Sequence, residues 1–460
     1  MFKFRRILFL IFLLIILPLL VYAVLRATHF LGKAFGDYAN IYVDCGSSYP
    51  VSAGVWRNLA QGGEEKGRML ASVVDKVKGL KPEYIRIDHV FDFYNIVGRD
   101  GSGALSFNWS ELDLTLGDIK AMDAKPFISI SYMPPALSGG DILGMPANWS
   151  EWELAVQKLA EHISGKGGLN IDGVYYEVWN EPDLFGNFKA GGKKNYFDLY
   201  IHTVSGINRS TGVNSFKVGG PATTALYKNW FNGLLKLAQD GVRLDFLSWH
   251  SYTKDLDKLE QDFLSAKKWL LEYPSLEDTE LIISEIGPNS ENDPSYDNYF
   301  GGINLLATVA TLEGNIDRMF IFEIKDGQGK DKYWGRWGLL TNDKFGNPEE
   351  KPRMLAIRFL NGMVGRKVAV AGRGSWVKAF AREKGGIIKI LVVNYDTSGK
   401  HHEAVPMTFA NLPSTEFTLK RIDYGGGVTV EKVATSSAVW RTLQEFKPNS
   451  AAIFEIIPVK

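Results

Sequence analysis

Between about residue 38 and residue 364 the chain alternates. Short runs of β-branched or aromatic residues give way to longer stretches in which apolar positions recur every three or four residues. Unbroken or period-two apolar runs bounded by turn residues predict strands, and the 3.6-residue period predicts helices. On this reading strands are expected over Asn40–Cys45, Tyr84–Asp88, Pro126–Tyr132, Val174–Glu181, Lys217–Gly220, Phe246–His250, Glu280–Glu285 and Arg318–Ile324. A predicted helix follows each, the first over Gly67–Leu80 and the last over Pro352–Gly362. Eight uninterrupted strand–helix units predict a closed (β/α)8 TIM barrel over 38–364 rather than an open doubly wound sheet. From Val368 the helical period stops. Strand-like runs between Trp376 and Ile456, separated by turns such as "EKGG" and "YGGG", predict a C-terminal antiparallel β-sandwich over 365–460. Its expected role is a structural cap on the barrel or a sugar-binding module.

Residues 1–30 follow neither pattern. Lys3, Arg5 and Arg6 precede an uncharged run from Ile7 to Leu25. At the helical rise that run nearly crosses a ~30 Å hydrocarbon core. It predicts a transmembrane anchor with its basic end in the cytoplasm, or a signal segment cleaved after Val21-Tyr22-Ala23. Either way the rest of the chain is expected to be extracytoplasmic, held to the membrane if the helix is uncleaved and secreted otherwise.

Composition narrows the chemistry. Lys and Arg number 52, as do Asp and Glu, so there is no basic surplus to suggest nucleic-acid binding. Cys45 is the sole cysteine, which rules out an intramolecular disulfide. No zinc-ligand spacing, HExxH, dinucleotide fingerprint or P-loop occurs, so no metal or cofactor is implied. Oligomeric state is open.

In a (β/α)8 barrel the reactive groups sit at the C-terminal ends of the strands. The fourth predicted strand, "YYEVWNEPD", ends in Asn180 and Glu181, and the seventh, "LIISEIG", ends in Glu285. Three units apart on an eight-fold ring, the two carboxylates nearly face each other across the mouth. One protonated and one ionised carboxyl flanking a bond is the requirement of glycoside hydrolysis. Arg86, at the end of the second strand, is placed to keep Glu285 ionised. Glu177 shares the inward parity of Glu181 and reads as a buried structural carboxylate.

These two segments resemble the fourth- and seventh-strand signatures of clan A retaining glycoside hydrolases. "KPFISISYMP" (125–134), "FKVGGPATT" (216–224) and "DFLSWHSYT" (245–253) are similar to the third, fifth and sixth strands of glycoside hydrolase family 39. That family includes β-xylosidases, α-iduronidases and bacterial exopolysaccharide endoglycosidases, and the resemblance spans about 80–365. It implies that Glu181 is the acid/base and Glu285 the nucleophile of a double displacement on extracellular or cell-surface oligo- or polysaccharide. It implies that Asn180 bonds the sugar 2-hydroxyl and that His250 and Tyr252 contact sugar and nucleophile, with Tyr132 a weaker candidate. Two departures touch the sugar subsites. The family's Arg-x-His is here Arg86-Ile87-Asp88 with His89 one place later, so Asp88 becomes a candidate for a substrate hydroxyl. The eighth strand, "FIFEIKDG", offers Phe322 and Glu323 where an aromatic platform is common, and Trp334 or Trp337 could serve instead.

Two rival readings use the same barrel. A catalytically silent carbohydrate-binding or scaffold protein would be favoured by loss of a carboxylate, and both are present. A Schiff-base aldolase needs an inward lysine on a strand, for which Lys325 is the only candidate.

Overall fold

The computed structural model describes residues 36–51 and 54–459. Its strands, β1–β19 in chain order, form three sheets. Eight of them close a parallel barrel: β2 (Asn58–Gln61), β3 (Tyr84–Ile87), β6 (Lys125–Ile130), β7 (Val174–Val178), β8 (Phe216–Thr223), β9 (Phe246–Tyr252), β10 (Glu280–Gly287) and β11 (Arg318–Phe322). β11 pairs back with β2 to complete the ring. A small hairpin, β4 (Val97–Arg99) and β5 (Leu105–Phe107), is inserted after β3. The fold is therefore the expected TIM barrel.

The barrel interior is layered. Near the N-terminal ends of the strands Phe127 packs on Tyr175, Phe246 and Phe320, with ring centroids 4.5–5.5 Å apart. Tyr84, Ala60 and Ile282 complete this plug. Two residues further along their strands, the inward positions become Arg86 and Glu177, both fully buried. The period of two that fills the floor with rings thus raises charge to the mouth. Each fully buried aromatic contributes about 1.5–3 kcal/mol.

The first expected strand lies elsewhere. Ile41–Tyr49 forms β1, which leaves the barrel altogether and joins the C-terminal sheet, antiparallel to β12 (Arg366–Ala371) and parallel to β15 (Glu403–Ala410). Its opening residues alternate buried, exposed, buried, the signature of a strand wet on one face. The barrel position is taken by "NLAQ" (58–61), all four residues buried. Without a β-branched or aromatic residue, that tetrapeptide carries little strand propensity.

The sheet runs β17-β16-β19-β14-β13-β12-β1-β15-β18. The remaining members are β13 (Val377–Lys384), β14 (Ile387–Asn394), β16 (Glu416–Asp423), β17 (Val428–Ala434), β18 (Trp440–Phe446) and β19 (Ser450–Pro458). It curls so that its two ends meet: Trp440 of β18 lies edge-on to Phe417 of β16 at 5.4 Å, and Arg421 Nη1 of β16 donates to Gln444 Oε1 of β18. Ile41, Val43, Val392, Phe409 and Phe454 fill the space between the layers.

One helix joins the two bodies. In Tyr299–Leu312 every residue from Gly301 onward is buried, as expected for a helix covered on all sides. It packs on β13, β14 and β19 as well as on barrel elements. Glu313, just past its end, pairs with Arg382 of β13 and accepts the Val55 amide at 3.3 Å, so one carboxylate ties sheet, helix and barrel.

Among the described residues no helix is long and apolar enough to cross a membrane. The expected membrane-anchored location is corrected accordingly. The apolar run that prompted it, within residues 1–30, lies outside the described residues.

Removing one partner of a buried ion pair strands the other charge. Glu313→Ala is therefore expected to destabilise the protein by about 3–5 kcal/mol, read as a lower denaturant midpoint in urea melts.

Candidate active site

Arg86 is the centre of the mouth. Its Nε donates to Glu177 Oε2 at 2.7 Å, Nη1 to Glu285 Oε1 at 2.8 Å and Nη2 to Asn180 Oδ1 at 2.8 Å. With its carbonyl so engaged, the Asn180 amide turns its nitrogen to Tyr132 Oη at 3.0 Å, which leaves its second hydrogen free. The Tyr252 hydroxyl donates to Glu285 Oε2 at 2.6 Å. Burial and the Glu285 charge push that phenol well above its ordinary value, so it stays a neutral donor. His250 is completely buried, with Nδ1 3.0 Å from Glu181 Oε1 and 3.4 Å from Glu285 Oε2. Both neighbours are acceptors there, so Nδ1 carries the proton.

The two glutamates reach this point by different backbone devices. Strand β7 stops at Val178, after which Trp179 and Glu181 take φ of +71° and +46°. Left-handed conformations at bulky residues cost about 1–3 kcal/mol each and persist where the surroundings hold them. Here the Trp179 amide donates to Ile130 O and the Glu181 amide to Ala222 O at 2.9 Å. Glu285 depends on a register shift. Ile282 faces Ser248 and Ile283 faces Trp249, but Glu285, not Ser284, faces His250. In a regular strand, parity with the inward Ile282 would send Ser284 to the mouth; the bulge re-aims Glu285 there.

Burial pushes the Glu285 carboxyl above the usual range and repulsion from Glu181 adds to the rise, while His250 and Arg86 oppose it. Burial lowers the His250 pKa, but Glu285 and Glu181 outweigh it and the net direction is up. One atom each from Glu181, His250 and Glu285 lie within 4.8 Å of one another, a spacing that could also hold a metal ion. The shared Nδ1 proton already bridges the two acids.

A cavity of about 690 Å³ opens above these groups. Asp88, Tyr132, Asn180, Glu181, His250, Tyr252 and Glu285 all line it, and Arg86 stands directly behind Glu285 and Asn180. Of the tryptophans considered for the eighth-strand platform, Trp337 lines the cavity beside Phe322, with ring centroids 5.2 Å apart, whereas Trp334 does not. Lys325 is buried between Glu65 and Asp343 at 3.3 Å, away from the cavity wall, which removes the Schiff-base reading. Several lining residues were not singled out one by one from the sequence: Glu64 and Arg336, an ion pair whose guanidinium lies 3.3 Å above the Trp337 ring, and Leu184, Phe185, Thr224 and Ala225. They sit on loops, where neither period nor strand end marks a position.

Residues 52–298, more than half of the chain, match the family described as Glycosyl hydrolases family 39. A Beta-xylosidase of Caldicellulosiruptor saccharolyticus is 26% identical over 401 residues, covering 78% of this chain and 77% of that protein. Among solved structures, a monomeric beta-xylosidase from Caulobacter crescentus superposes with a TM-score of 0.73 at 19% identity, over 92% of this chain and all of the other. The GH39 enzyme from Xanthomonas axonopodis pv. citri gives 0.70 at 19% identity, over 92% and 98%. A TIM barrel with this carboxylate-lined mouth and these relatives is an O-glycosyl hydrolase of the retaining, clan A type. Within that class the chain belongs to glycosyl hydrolase family 39.

Asp88 is only 3% exposed and its Oδ1 has no hydrogen-bond partner. Burial raises its pKa, against the attraction of His89 and Arg86. A carboxyl raised on folding binds protons more readily in the folded state, so its stability contribution falls as pH climbs from the unfolded value through the folded one. Asp88→Asn is expected to stabilise the enzyme near neutral pH, because it removes a buried charge, and to do so clearly less at about pH 4. Urea melts at the two pH values check it.

Proposed function

We propose that the enzyme cleaves oligo- or polysaccharide by double displacement, with Glu181 as acid/base and Glu285 as nucleophile. The observation that carries this reading is the close approach of the two carboxyl groups, with oxygens within 4.8 Å. Retaining enzymes hold the pair about 5–5.5 Å apart, and inverting enzymes leave a further gap for water.

Each neighbour then has a task. Arg86 and Tyr252 donate to Glu285 and favour its ionised, attacking form. His250 holds Glu181 Oε1, which leaves Oε2 to carry the proton toward the cavity. In the first step Glu181 protonates the glycosidic oxygen, the bond from that oxygen to the anomeric carbon breaks, and Glu285 forms an ester to the carbon. In the second, Glu181 takes a proton from water, the water oxygen displaces Glu285, and the sugar leaves with its original configuration. The free Asn180 hydrogen is offered to the sugar 2-hydroxyl, and Asp88 to a further hydroxyl. The names of the relatives make β-xylosides the first substrates to test.

Glu285→Ala is expected to abolish turnover, and added azide should then yield a glycosyl azide inverted relative to the substrate; undiminished activity would refute the assignment. Glu181→Ala should keep far more activity on aryl glycosides with good leaving groups than on natural glycosides, since only poor leaving groups need the proton. Equal losses would count against the acid role.

The pH profile follows from burial of the nucleophile. Catalysis requires ionised Glu285, and its pKa is raised. The acid limb of kcat/KM should therefore lie above the ordinary glutamate value of about 4.3. Arg86→Gln should move that limb further upward, because it withdraws a cation from the charged form.

A further inference from the structure

The cavity lining is unevenly polar. Glu64, Asp88, His89 and Arg336 line it together with Phe322 and Trp337. On the turn that follows Glu181 the lining side chains are Leu184 and Phe185, with Thr224 held beside them by Asp183. Leu184 and Phe185 are 55% and 40% exposed, among the more exposed large apolar side chains of the fold.

Their exposure is built in. Directly after Glu181 the chain folds back, so that the Leu184 and Phe185 amides donate to Glu181 O at 2.9 and 2.7 Å. The indole of buried Trp179 donates to Phe185 O at 2.8 Å, and the Phe185 ring meets Tyr132 edge-on at 5.9 Å. Asp183 accepts from the Thr224 amide at 3.1 Å and from its hydroxyl. Gly186, at φ +107°, ends the turn where a Cβ would strike the Phe188 ring. Glu181 and the two apolar side chains are thus parts of one pinned turn.

We propose that Leu184 and Phe185 form the binding site for the leaving sugar. The inference rests on the reading of Glu181 as proton donor. The proton goes to the glycosidic oxygen, so whatever lies beyond that oxygen lies against the residues around Glu181. The occupant is a pyranose ring that presents its C–H face to Phe185 and Leu184. The same surface receives the acceptor when the second step runs with a sugar hydroxyl in place of water.

The test compares substrates that share a glycosyl group and differ in what leaves. Phe185→Ala and Leu184→Ala are assayed on xylobiose and on β-D-xylopyranosyl fluoride, whose departing fluoride needs neither a proton nor an aglycone contact. The expected result for Phe185→Ala is a loss of about tenfold in kcat/KM on xylobiose, with the fluoride unchanged within about twofold. Leu184→Ala should show a smaller loss of the same kind. Equal losses on both substrates, or no loss on xylobiose, would overturn the proposal. A wild-type enzyme that releases α-xylose from the β-fluoride, with inverted configuration, would instead overturn the proposed double displacement, so the two failures are told apart. Thermal melts of both variants should match the wild type, because the side chains removed are exposed.

Discussion

The mouth of the barrel is organised by a single buried guanidinium. Taking Arg86 out of water costs several kcal/mol, recovered only if its donors are met with good geometry. Glu177, Glu285 and Asn180 meet them from three directions. The planar fork fixes those three partners relative to one another, which a lysine's single rotating ammonium could not do. Glu177 takes the Nε donor while Glu285 takes Nη1, so the cation is shared between two buried carboxylates. Burial still outweighs His250 and Arg86, and the Glu285 pKa is raised.

The cavity lining mixes polarities. Carboxylates, imidazoles and amides offer many hydrogen-bond partners, including an acid at Asp88 with an unpartnered oxygen. Leu184 and Phe185, on the turn after Glu181, are apolar and exposed, and under the proposed reaction they face the group that departs. Directional contacts suit the ring that must be held and distorted. Weak, non-directional ones suit a group that must leave.

Much of this was legible in the sequence because strand ends in a barrel are few and conspicuous. Glu181 and Glu285 stand out as carboxylates that close two apolar runs, and the inward parity of Glu177 is visible from the two-residue period. What escaped has physical reasons. "NLAQ" is a strand by closure of the ring, since the neighbouring strands impose it whatever its own preference. Asn40–Cys45 has strong strand propensity, yet propensity does not say which sheet a strand will join. The bulge before Glu285 is a matter of register that hydrophobic pattern does not encode. Glu64, Arg336, Leu184 and Phe185 lie on loops and meet only in three dimensions.

The placement of β1 bears on how the chain is made. Its partners, β12 and β15, begin more than 300 residues later. During synthesis β1 therefore emerges first and waits, both edges open, until nearly all of the polypeptide has been added. Contacts of such long range are slow to form, and an unpaired strand invites association with other chains. The polar half of β1, "DCGSSY", lowers that hazard during the wait, because it offers few apolar side chains to a second chain. In the finished fold the same strand works as a latch: β1 and β12, which flank the barrel in sequence, pair with each other in one sheet, so the two ends of the barrel segment are held together.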